Sequence, residues 1–169
     1  TKYLGGHNDV LAGAVMTNDT DIYDKLFYNL NTTGAVLSPF DSYLLLRGLK
    51  TLALRMERST QNAQEVVAFL KKSPAVKEVL YPGKGGMISF KIGDEEKIPH
   101  LLNSLKVFTF AESLGGVESL ITYPTTQTHA DIPAEVRHSY GLTDDLLRLS
   151  IGIEDSRDLV ADLRAALED

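Results

Sequence analysis

Three features of the sequence carry residue types that can do chemistry: a lysine near one end, an arginine inside an apolar run, and a polar loop with two glycines. Lys2 lies between Thr1 and Tyr3 and precedes the apolar residues 10–16, a run typical of a buried strand. A lysine on a turn against a sheet can be partly buried, and burial favours the unprotonated, nucleophilic amine. The alternative interpretation is a solvated lysine with no chemical role.

Arg148 lies in the apolar run LLRLSIGIE, with a leucine on either side. An arginine that enters a sheet usually pairs with a carboxylate, because the planar guanidinium matches that geometry. The partner is then either a structural carboxylate, such as Asp144, Asp145 or Glu154, or the carboxylate of a bound ligand. The sequence alone leaves both alternatives open.

The stretch AESLGGVESL combines a carboxylate, a hydroxyl and a flexible backbone in five residues. Glu112 and Ser113 offer polar side chains, and the backbone around Gly115 and Gly116 offers hydrogen-bond donors. The alternative is a glycine turn that follows a strand. Taken with Lys2 and Arg148, this loop indicates chemistry on an amino acid.

Other familiar motifs are missing from the sequence. Residues 83–86 read GKGG, so no Ser or Thr follows Lys84 as a phosphate-binding P-loop requires. The four histidines lack metal-ligand spacing such as H-E-x-x-H, and we expect no metal site. Ser113 lies outside any G-x-S-x-G setting, which argues against a hydrolase triad.

The composition is that of a globular protein without cysteine. The 169 residues include 23 acidic and 17 basic side chains, for a net charge of −6. Nucleic-acid binding depends on clustered Lys and Arg, which this chain lacks, so no nucleic-acid partner is expected. No apolar stretch approaches the roughly 18–20 residues needed to cross a bilayer. We expect no membrane partner and a cytoplasmic location.

The clearest helical signal covers residues 38–73. Ser38 can cap the helix, Pro39 suits its first position and Asp41 completes a capping box. Apolar residues recur there at spacings of three and four, which predicts one long helix. A shorter helix is expected over residues 18–31, with a break at Gly34.

Beyond Pro74, strands and helices alternate, which predicts an α/β or α+β fold. We expect strands in residues 75–82, 87–93, 106–113 and 146–154, and a helix over 94–105. The last helix, residues 156–169, should turn Leu159, Val160, Leu163 and Leu167 inward. A domain boundary is expected near residues 60–75, with residues 1–65 as the end of a larger domain and 66–169 as a C-terminal α/β domain.

Five stretches together resemble the Cys/Met-metabolism family of pyridoxal-phosphate enzymes, which includes cystathionine lyases and cystathionine γ-synthase. They run in family order across nearly the whole chain: TKYLGGHNDVLAG, SPFDSYLLLRGLKTLALRMERSTQNA, YPGKGGMISF, FTFAESLGGVESLITYPTTQTHADIP and GLTDDLLRLSIGIED. The resemblance implies the fold of the PLP-dependent transferases (fold type I). It also implies a C-terminal fragment: the end of the large cofactor domain and the complete small α/β domain.

The resemblance implies a role for each site residue. Lys2 would hold pyridoxal 5'-phosphate as a Schiff base and then move the substrate Cα proton, and Thr1 would bind the cofactor phosphate. Arg148 matches the arginine that grips the substrate carboxylate. The remaining substrate-binding positions are Ser113 and Leu114, which would orient the lysine and the carboxylate, and Glu112, near the distal end of the substrate. Scaffold roles are expected for His7, Asp9 and His129.

The implied activity is elimination of a thiol from cystathionine or a related sulfur amino acid, as in cystathionine β/γ-lyases. Cystathionine γ-synthase and O-acylhomoserine γ-replacement are the alternative, and a non-catalytic α/β oligomerisation module is the alternative from another class. In the family, residues upstream of the lysine and residues of a neighbouring subunit complete the cofactor site. We therefore expect this chain alone to be inactive, its partners being the N-terminal part of its subunit and the other members of a homotetramer.

Overall fold

The structure is a computed structural model, and it describes residues 1–168. Its elements are α1 (Thr20–Thr33), α2 (Pro39–Leu49), α3 (Leu52–Leu70), β1 (Glu78–Leu80), β2 (Met87–Lys91), a 3₁₀ turn (Glu95–Lys97), α4 (Ile98–Ser104), β3 (Thr109–Phe110), β4 (Leu120–Thr122), α5 (Ala134–Ser139), β5 (Leu146–Ser150) and α6 (Ser156–Glu168). The α/β class predicted from the sequence is confirmed.

The five strands form one mixed sheet in the order β1-β2-β5-β4-β3. Neighbours are antiparallel except β3 and β4, which run parallel. The central strand β5 places Arg148 between Ser89 of β2 and Thr122 of β4. Successive side chains of a strand point to opposite faces, so Arg148 and Ser150 share one face while Leu147 and Leu149 share the other.

The core lies between the leucine face of β5 and the helices α3, α4 and α6. Its fully buried members come from these elements and from β2 and β4, and each such side chain contributes about 1.5–3 kcal/mol through removal from water. The largest of them are Leu70, Ile88, Phe90, Ile98, Leu101, Ile121, Leu147, Leu149, Ile151, Leu159 and Leu163. The inward face predicted for α6 is confirmed, since Val160 and Leu167 also pack against this cluster.

The helix predicted over residues 38–73 is two helices in the structure. Its start is confirmed, because the Ser38 hydroxyl accepts the Asp41 amide at 3.1 Å and Pro39 takes the first position. At the break, the Lys50 and Thr51 amides donate to carbonyls three residues back. The Gly48 carbonyl also accepts a hydrogen bond from the Arg55 side chain at 2.8 Å. The apolar periodicity continues across the break, so the sequence pattern did not reveal it.

The strand predicted over residues 10–16 is wrong for the described chain, because these residues are in no helix or strand. Leu11, Val15 and Met16 are 84%, 75% and 90% exposed. A strand requires a neighbouring strand to pair with, and within residues 1–168 no strand pairs with this segment. The helix predicted after it is confirmed with shifted bounds, and Gly34 ends it in a left-handed conformation.

Two short elements were missed. The strand β4 follows the two glycines of the 112–116 loop, and three residues are too few for a periodic signal. The helix α5 has six residues in a segment rich in Thr and Pro. The predicted strands around β1, β2, β3 and β5 are confirmed, while the predicted boundary at residue 65 lies inside α3 and stays a prediction.

Candidate functional site

Lys2 lies at the start of a tight turn that ends at Gly6. The Gly6 amide donates to the Lys2 carbonyl at 2.8 Å, and Gly6 has a φ of 77°. The Lys2 side chain is exposed, contrary to the expected burial against a strand, and within residues 1–168 no hydrogen bond or ion pair engages it. The turn therefore presents a free amine.

Arg55 fixes this turn onto the junction of α2 and α3. Its side chain is 6% exposed and donates to the carbonyls of Tyr3 at 2.8 Å and Gly48 at 2.8 Å, and to the Thr51 hydroxyl at 3.1 Å. Burial lowers the pKa of the guanidinium. A Cβ on Gly6 would lie 2.0 Å from Arg55 Nη1, so only glycine permits this approach.

The other side of the turn contacts the sheet through Tyr3. A Cβ on Gly86, at the end of the YPGKGG turn, would lie 3.2 Å from the Tyr3 hydroxyl. Burial raises the pKa of the Tyr3 phenol, and the Gly86 backbone opposes that rise. Tyr3, the residue next to Lys2, is therefore held from two directions: Arg55 binds its carbonyl, and its side chain packs beside Gly86.

The polar face of β5 holds both ends of the 112–116 loop. Arg148 Nη2 donates to the Glu112 carbonyl at 2.9 Å, and the Gly115 amide donates to the Ser150 hydroxyl at 2.8 Å. The loop lies against the Lys2 turn as well, since a Cβ on Gly115 would be 2.9 Å from the Tyr3 nitrogen and 3.2 Å from the Lys2 carbonyl carbon. The structure thus brings the Lys2 turn and the 112–116 loop together over the face of the sheet on which Arg148 lies.

The structural carboxylate partners considered for Arg148 are engaged elsewhere. Asp144 pairs with Arg137 at 3.1 Å and with His138 at 2.9 Å, and Glu154 accepts the Ser119 hydroxyl at 2.8 Å. Within residues 1–168, no salt bridge involves Arg148, and its Nε is buried without a hydrogen-bond partner. Burial lowers the pKa of Arg148, and the nearby Glu112 carboxylate partly offsets this.

Asn8 joins the Lys2 segment to the glycine loop. Its side-chain oxygen Oδ1 accepts from the Ser113 hydroxyl at 3.3 Å, and its side-chain nitrogen Nδ2 donates to the Glu118 carboxylate at 3.0 Å. Asn8 has a φ of 54°, a left-handed conformation that asparagine tolerates better than most residues. A Cβ on Gly116 would lie 2.6 Å from the Asn8 side-chain nitrogen, so a larger residue there would displace the Asn8 side chain.

A cleft of about 320 Å³ lies beside Lys2, lined by Thr1, Asn8, Asp9, Val10, Leu11 and Ser113. The Thr1 hydroxyl donates to the Ala12 carbonyl at 2.8 Å and accepts the Ala12 amide at 2.9 Å. A larger cleft of about 660 Å³ lies on the far side of the turn, between His7, Arg55 and Arg58. We place the candidate site at the smaller cleft because both Thr1, which precedes Lys2, and Ser113 of the glycine loop line it.

The sequence missed three residues of this arrangement: Arg55, Asn8 and Ser150. Arg55 had a detectable signal, because it falls in line with Ser59 and Asn62 on the face of α3 that carries the apolar core residues. Polar residues at core spacing are uncommon and are buried only with partners. Asn8 and Ser150 had no comparable signal.

The residues present fit a lysine-bound cofactor that acts on an amino acid. Lys2 follows Thr1, which lines the smaller cleft, and Arg148 supplies a partly buried cation that forms no salt bridge within residues 1–168. A partly desolvated charge is costly without an opposite charge, so an anionic ligand group suits this position. This pair is the one that the resemblance to pyridoxal-phosphate enzymes implies.

The particular family is established by comparison with known proteins. Residues 1–168 match the family model described as Cys/Met metabolism PLP-dependent enzyme. The chain belongs to this family, which confirms the resemblance drawn from the sequence and the cofactor it implies.

Relatives with different names are identical to this chain at about half of the aligned positions. It is 56% identical to the cystathionine gamma-synthase/O-acetylhomoserine (thiol)-lyase of Bacillus subtilis over 167 residues, which are 99% of this chain and 45% of that protein. It is 50% identical to the cystathionine gamma-lyase of the same organism over an alignment of 184 residues, which covers 99% of this chain and 48% of that protein. The chain thus spans about half the length of the curated relatives it matches.

Solved structures confirm the predicted fold. The cystathionine gamma synthase of Xanthomonas oryzae pv. oryzae, in complex with aminoacrylate and cysteine, is 41% identical with a TM-score of 0.93. The cystathionine gamma-lyase of Lactobacillus plantarum, complexed with L-serine, is 40% identical with a TM-score of 0.91. Each comparison covers 99% of this chain and 48% of the other. Within residues 1–168, no helix is both long and apolar enough to cross a membrane.

Proposed function

We propose that the full-length protein containing this chain is a trans-sulfuration enzyme that eliminates a thiol from cystathionine or a related sulfur amino acid. One observation carries the proposal: a partly buried arginine that forms no salt bridge within residues 1–168 shares the face of β5 that holds the loop packed on Lys2. The names of the relatives, which include both cystathionine lyases and synthases, support the same chemistry.

Lys2 is the proposed catalytic residue. Its amine would hold the cofactor aldehyde and, once released from it, would take the proton from the substrate Cα. Pyridoxal phosphate, when bound, would accept the electron pair left on that carbon. The turn held by Arg55 and Tyr3 supports this role, because a base must lie at hydrogen-bond distance from its proton.

The other proposed contacts divide between cofactor and substrate. Thr1 faces the cleft next to Lys2, and its hydroxyl exchanges the Ala12 carbonyl for the cofactor phosphate. Arg148 binds the substrate α-carboxylate, and Ser113 with Leu114 places that carboxylate relative to Lys2. Glu112 is exposed at the edge of the site and contacts the distal end of the substrate.

A second candidate reaction is γ-replacement, in which cysteine displaces the acyl group of an acylated homoserine. The relative with 56% identity carries a synthase and thiol-lyase name, and a Haemophilus influenzae cystathionine gamma-synthase is 55% identical. The lyase-named relatives of Bacillus subtilis and Lactococcus lactis are 50% and 48% identical. This difference favours the replacement reaction enough to require a direct assay.

The proposed partners follow from the uncovered apolar surface of residues 1–51. The exposed side chains there include Met16, Phe27, Phe40 and Leu46. We propose that the preceding part of the same subunit covers them, that four subunits form a cytoplasmic homotetramer, and that this chain by itself is inactive.

Two assays on the full-length protein separate the reactions. Cystathionine alone should yield an α-keto acid, ammonia and a thiol amino acid if the protein is a lyase. An acylated homoserine with cysteine should yield cystathionine if it is a γ-replacement enzyme. If the protein shows no turnover in either assay, the proposal is contradicted.

Replacement of Arg148 by Lys tests the carboxylate contact against a purely structural role. Lysine cannot make the two-pronged bond, so the KM for the amino-acid substrate should rise at least about tenfold. Arg157→Lys, a change at an exposed arginine of α6, is the control. A loss of thermal stability without a rise in KM would favour a purely structural role for Arg148.

A further inference from the structure

Both hydrogens of Arg148 Nη2 are already engaged by acceptors of the protein. One is donated to the Glu112 carbonyl at 2.9 Å and the other to the Thr122 hydroxyl at 3.1 Å. The Nε of the same side chain is buried without a partner. The nitrogen with two acceptors thus lies next to one with none among the described residues.

This arrangement limits how a carboxylate can bind. A guanidinium offers two edges with paired N–H groups, one formed by Nε and Nη2 and the other by the two terminal nitrogens. Nη2 belongs to both edges, and each of its hydrogens serves one edge. A carboxylate that binds with two prongs must therefore displace either the Glu112 carbonyl or the Thr122 hydroxyl.

The two acceptors differ in how firmly they are held. Thr122 is 1% exposed and lies on β4 directly opposite Arg148 in the sheet. Its hydroxyl donates to the Ala111 carbonyl at 2.7 Å, so its hydrogen is used and it can only accept from Arg148. Glu112 is exposed and lies in a bend outside the strands.

We propose that Thr122 is a positioning residue that keeps Arg148 in place while the substrate carboxylate displaces the Glu112 carbonyl. This inference rests on the proposed function of Arg148. The loop stays attached at its other end, because the Gly115 amide remains bound to Ser150. Carboxylate binding therefore shifts the first half of the loop, where Glu112 lies, relative to the Lys2 turn.

The test uses full-length holoenzyme and two small amines, glycine and methylamine, which differ by the carboxylate. Their dissociation constants are measured by titration of the cofactor absorbance, which requires no turnover. Thr122→Val keeps the shape of the side chain and removes the acceptor, while Thr122→Ser keeps the hydroxyl. Thr126→Val, at an exposed threonine away from Arg148, is the matched control.

Thr122→Val should weaken glycine binding about tenfold, the value of roughly one lost hydrogen bond to a charged group, and leave methylamine binding unchanged. Thr122→Ser and Thr126→Val should stay within about twofold of the wild type. Equal glycine affinity in Thr122→Val and wild type would overturn the inference, as would equal weakening of both amines.

A crystal structure of the glycine-bound holoenzyme tests the displaced acceptor and covers the case in which Thr122→Val does not fold. The Arg148–Thr122 hydrogen bond should persist and the Arg148–Glu112 bond should be broken; the reverse would overturn the inference. If the wild type binds glycine no better than methylamine, the proposed role of Arg148 fails as well. If the wild type discriminates and the Thr122 variants do so equally, only the present inference fails.

Discussion

The N-terminal and C-terminal parts of the chain, residues 1–51 and 52–168 and here called its two halves, differ in what covers their apolar side chains. All sixteen members of the core cluster lie between residues 63 and 166, whereas Val10 is the only buried apolar residue among residues 1–51. Yet α1 and α2 are regular helices with capping residues of the expected types. Local sequence signals thus form these helices, while burial depends on partners that residues 1–168 do not provide.

The candidate site lies where these two halves meet. Lys2 comes from the uncovered half, and Arg148 and the glycine loop come from the half with the core. The groups that connect them include Arg55, which holds the Lys2 turn, Gly115, which packs on it, and Asn8, which bonds the glycine loop. The position of Lys2 therefore depends on a few contacts across this junction.

The largest expected effect contrasts the two halves directly. Leu163→Ala in α6 removes a fully buried side chain and should lower the free energy of unfolding by roughly 2–5 kcal/mol. Leu46→Ala in α2 changes a side chain that is 61% exposed and should cost less than about 0.5 kcal/mol. Urea unfolding of the 169-residue chain, followed by circular dichroism, measures both. Equal losses would show that α2 has partners within this chain.

The second prediction concerns the contact between the halves. Arg55→Gln leaves the Tyr3 carbonyl without its donor, while the Gly48 carbonyl keeps the Thr51 amide, so it should lower the free energy of unfolding by roughly 1–3 kcal/mol for the one unsatisfied group. In the full-length enzyme, misplacement of Lys2 should lower kcat by about 10–100-fold.

Arg58→Gln, at an exposed arginine one turn along α3, is the control for Arg55. It should leave both stability and kcat near the wild-type values. Wild-type kcat in Arg55→Gln would contradict a positioning role, even with a loss of stability.

A third prediction separates backbone strain from steric contact at the glycine loop. Gly115→Ala and Gly141→Ala both force a positive φ on alanine, 76° and 87°, at a cost of about 1–2 kcal/mol. Only the Cβ at Gly115 meets another atom, the Tyr3 nitrogen at 2.9 Å, while that at Gly141 meets nothing within 4 Å. Gly115→Ala should therefore reduce kcat/KM by at least about tenfold more than Gly141→Ala. Similar kinetics in the two variants would show that the loop does not act on Lys2.

The outcome of the sequence analysis follows the same division. Core positions of α3 and α6 were predictable because the apolar spacing matches the helical period. Lys2 and Arg148 were predicted to be site residues from residue type and resemblance, and that role stays a prediction. The strand over residues 10–16 was predicted wrongly because an apolar run is evidence of burial, not of the neighbour that provides it. The break at Thr51 was missed because the Arg55 side chain that binds there makes tertiary contacts. It donates to the Gly48 carbonyl and also to the Leu4 carbonyl, 51 residues away in the sequence.

The smallest expected effect is an ion pair distant from the site. Asp155 accepts from Arg157 Nε at 3.0 Å and Nη2 at 2.7 Å, and these bonds hold the pKa of the Asp155 carboxyl well below its usual range. A depressed carboxyl pKa adds stability above the unfolded pKa near 4, and this is lost as the pH falls below it. Arg157→Gln should return the Asp155 pKa toward its usual value in an NMR titration. An unchanged pKa would contradict this assignment.

The central claim is that the amine of Lys2 binds the cofactor aldehyde. Borohydride reduction of the full-length holoenzyme, followed by peptide mapping with mass spectrometry, should place the reduced pyridoxyl group on Lys2. Lys2→Arg should abolish the label, while Lys84→Arg, at an exposed lysine of the YPGKGG turn, should retain it. A label on any other lysine, or no label in the wild-type protein, would contradict the account.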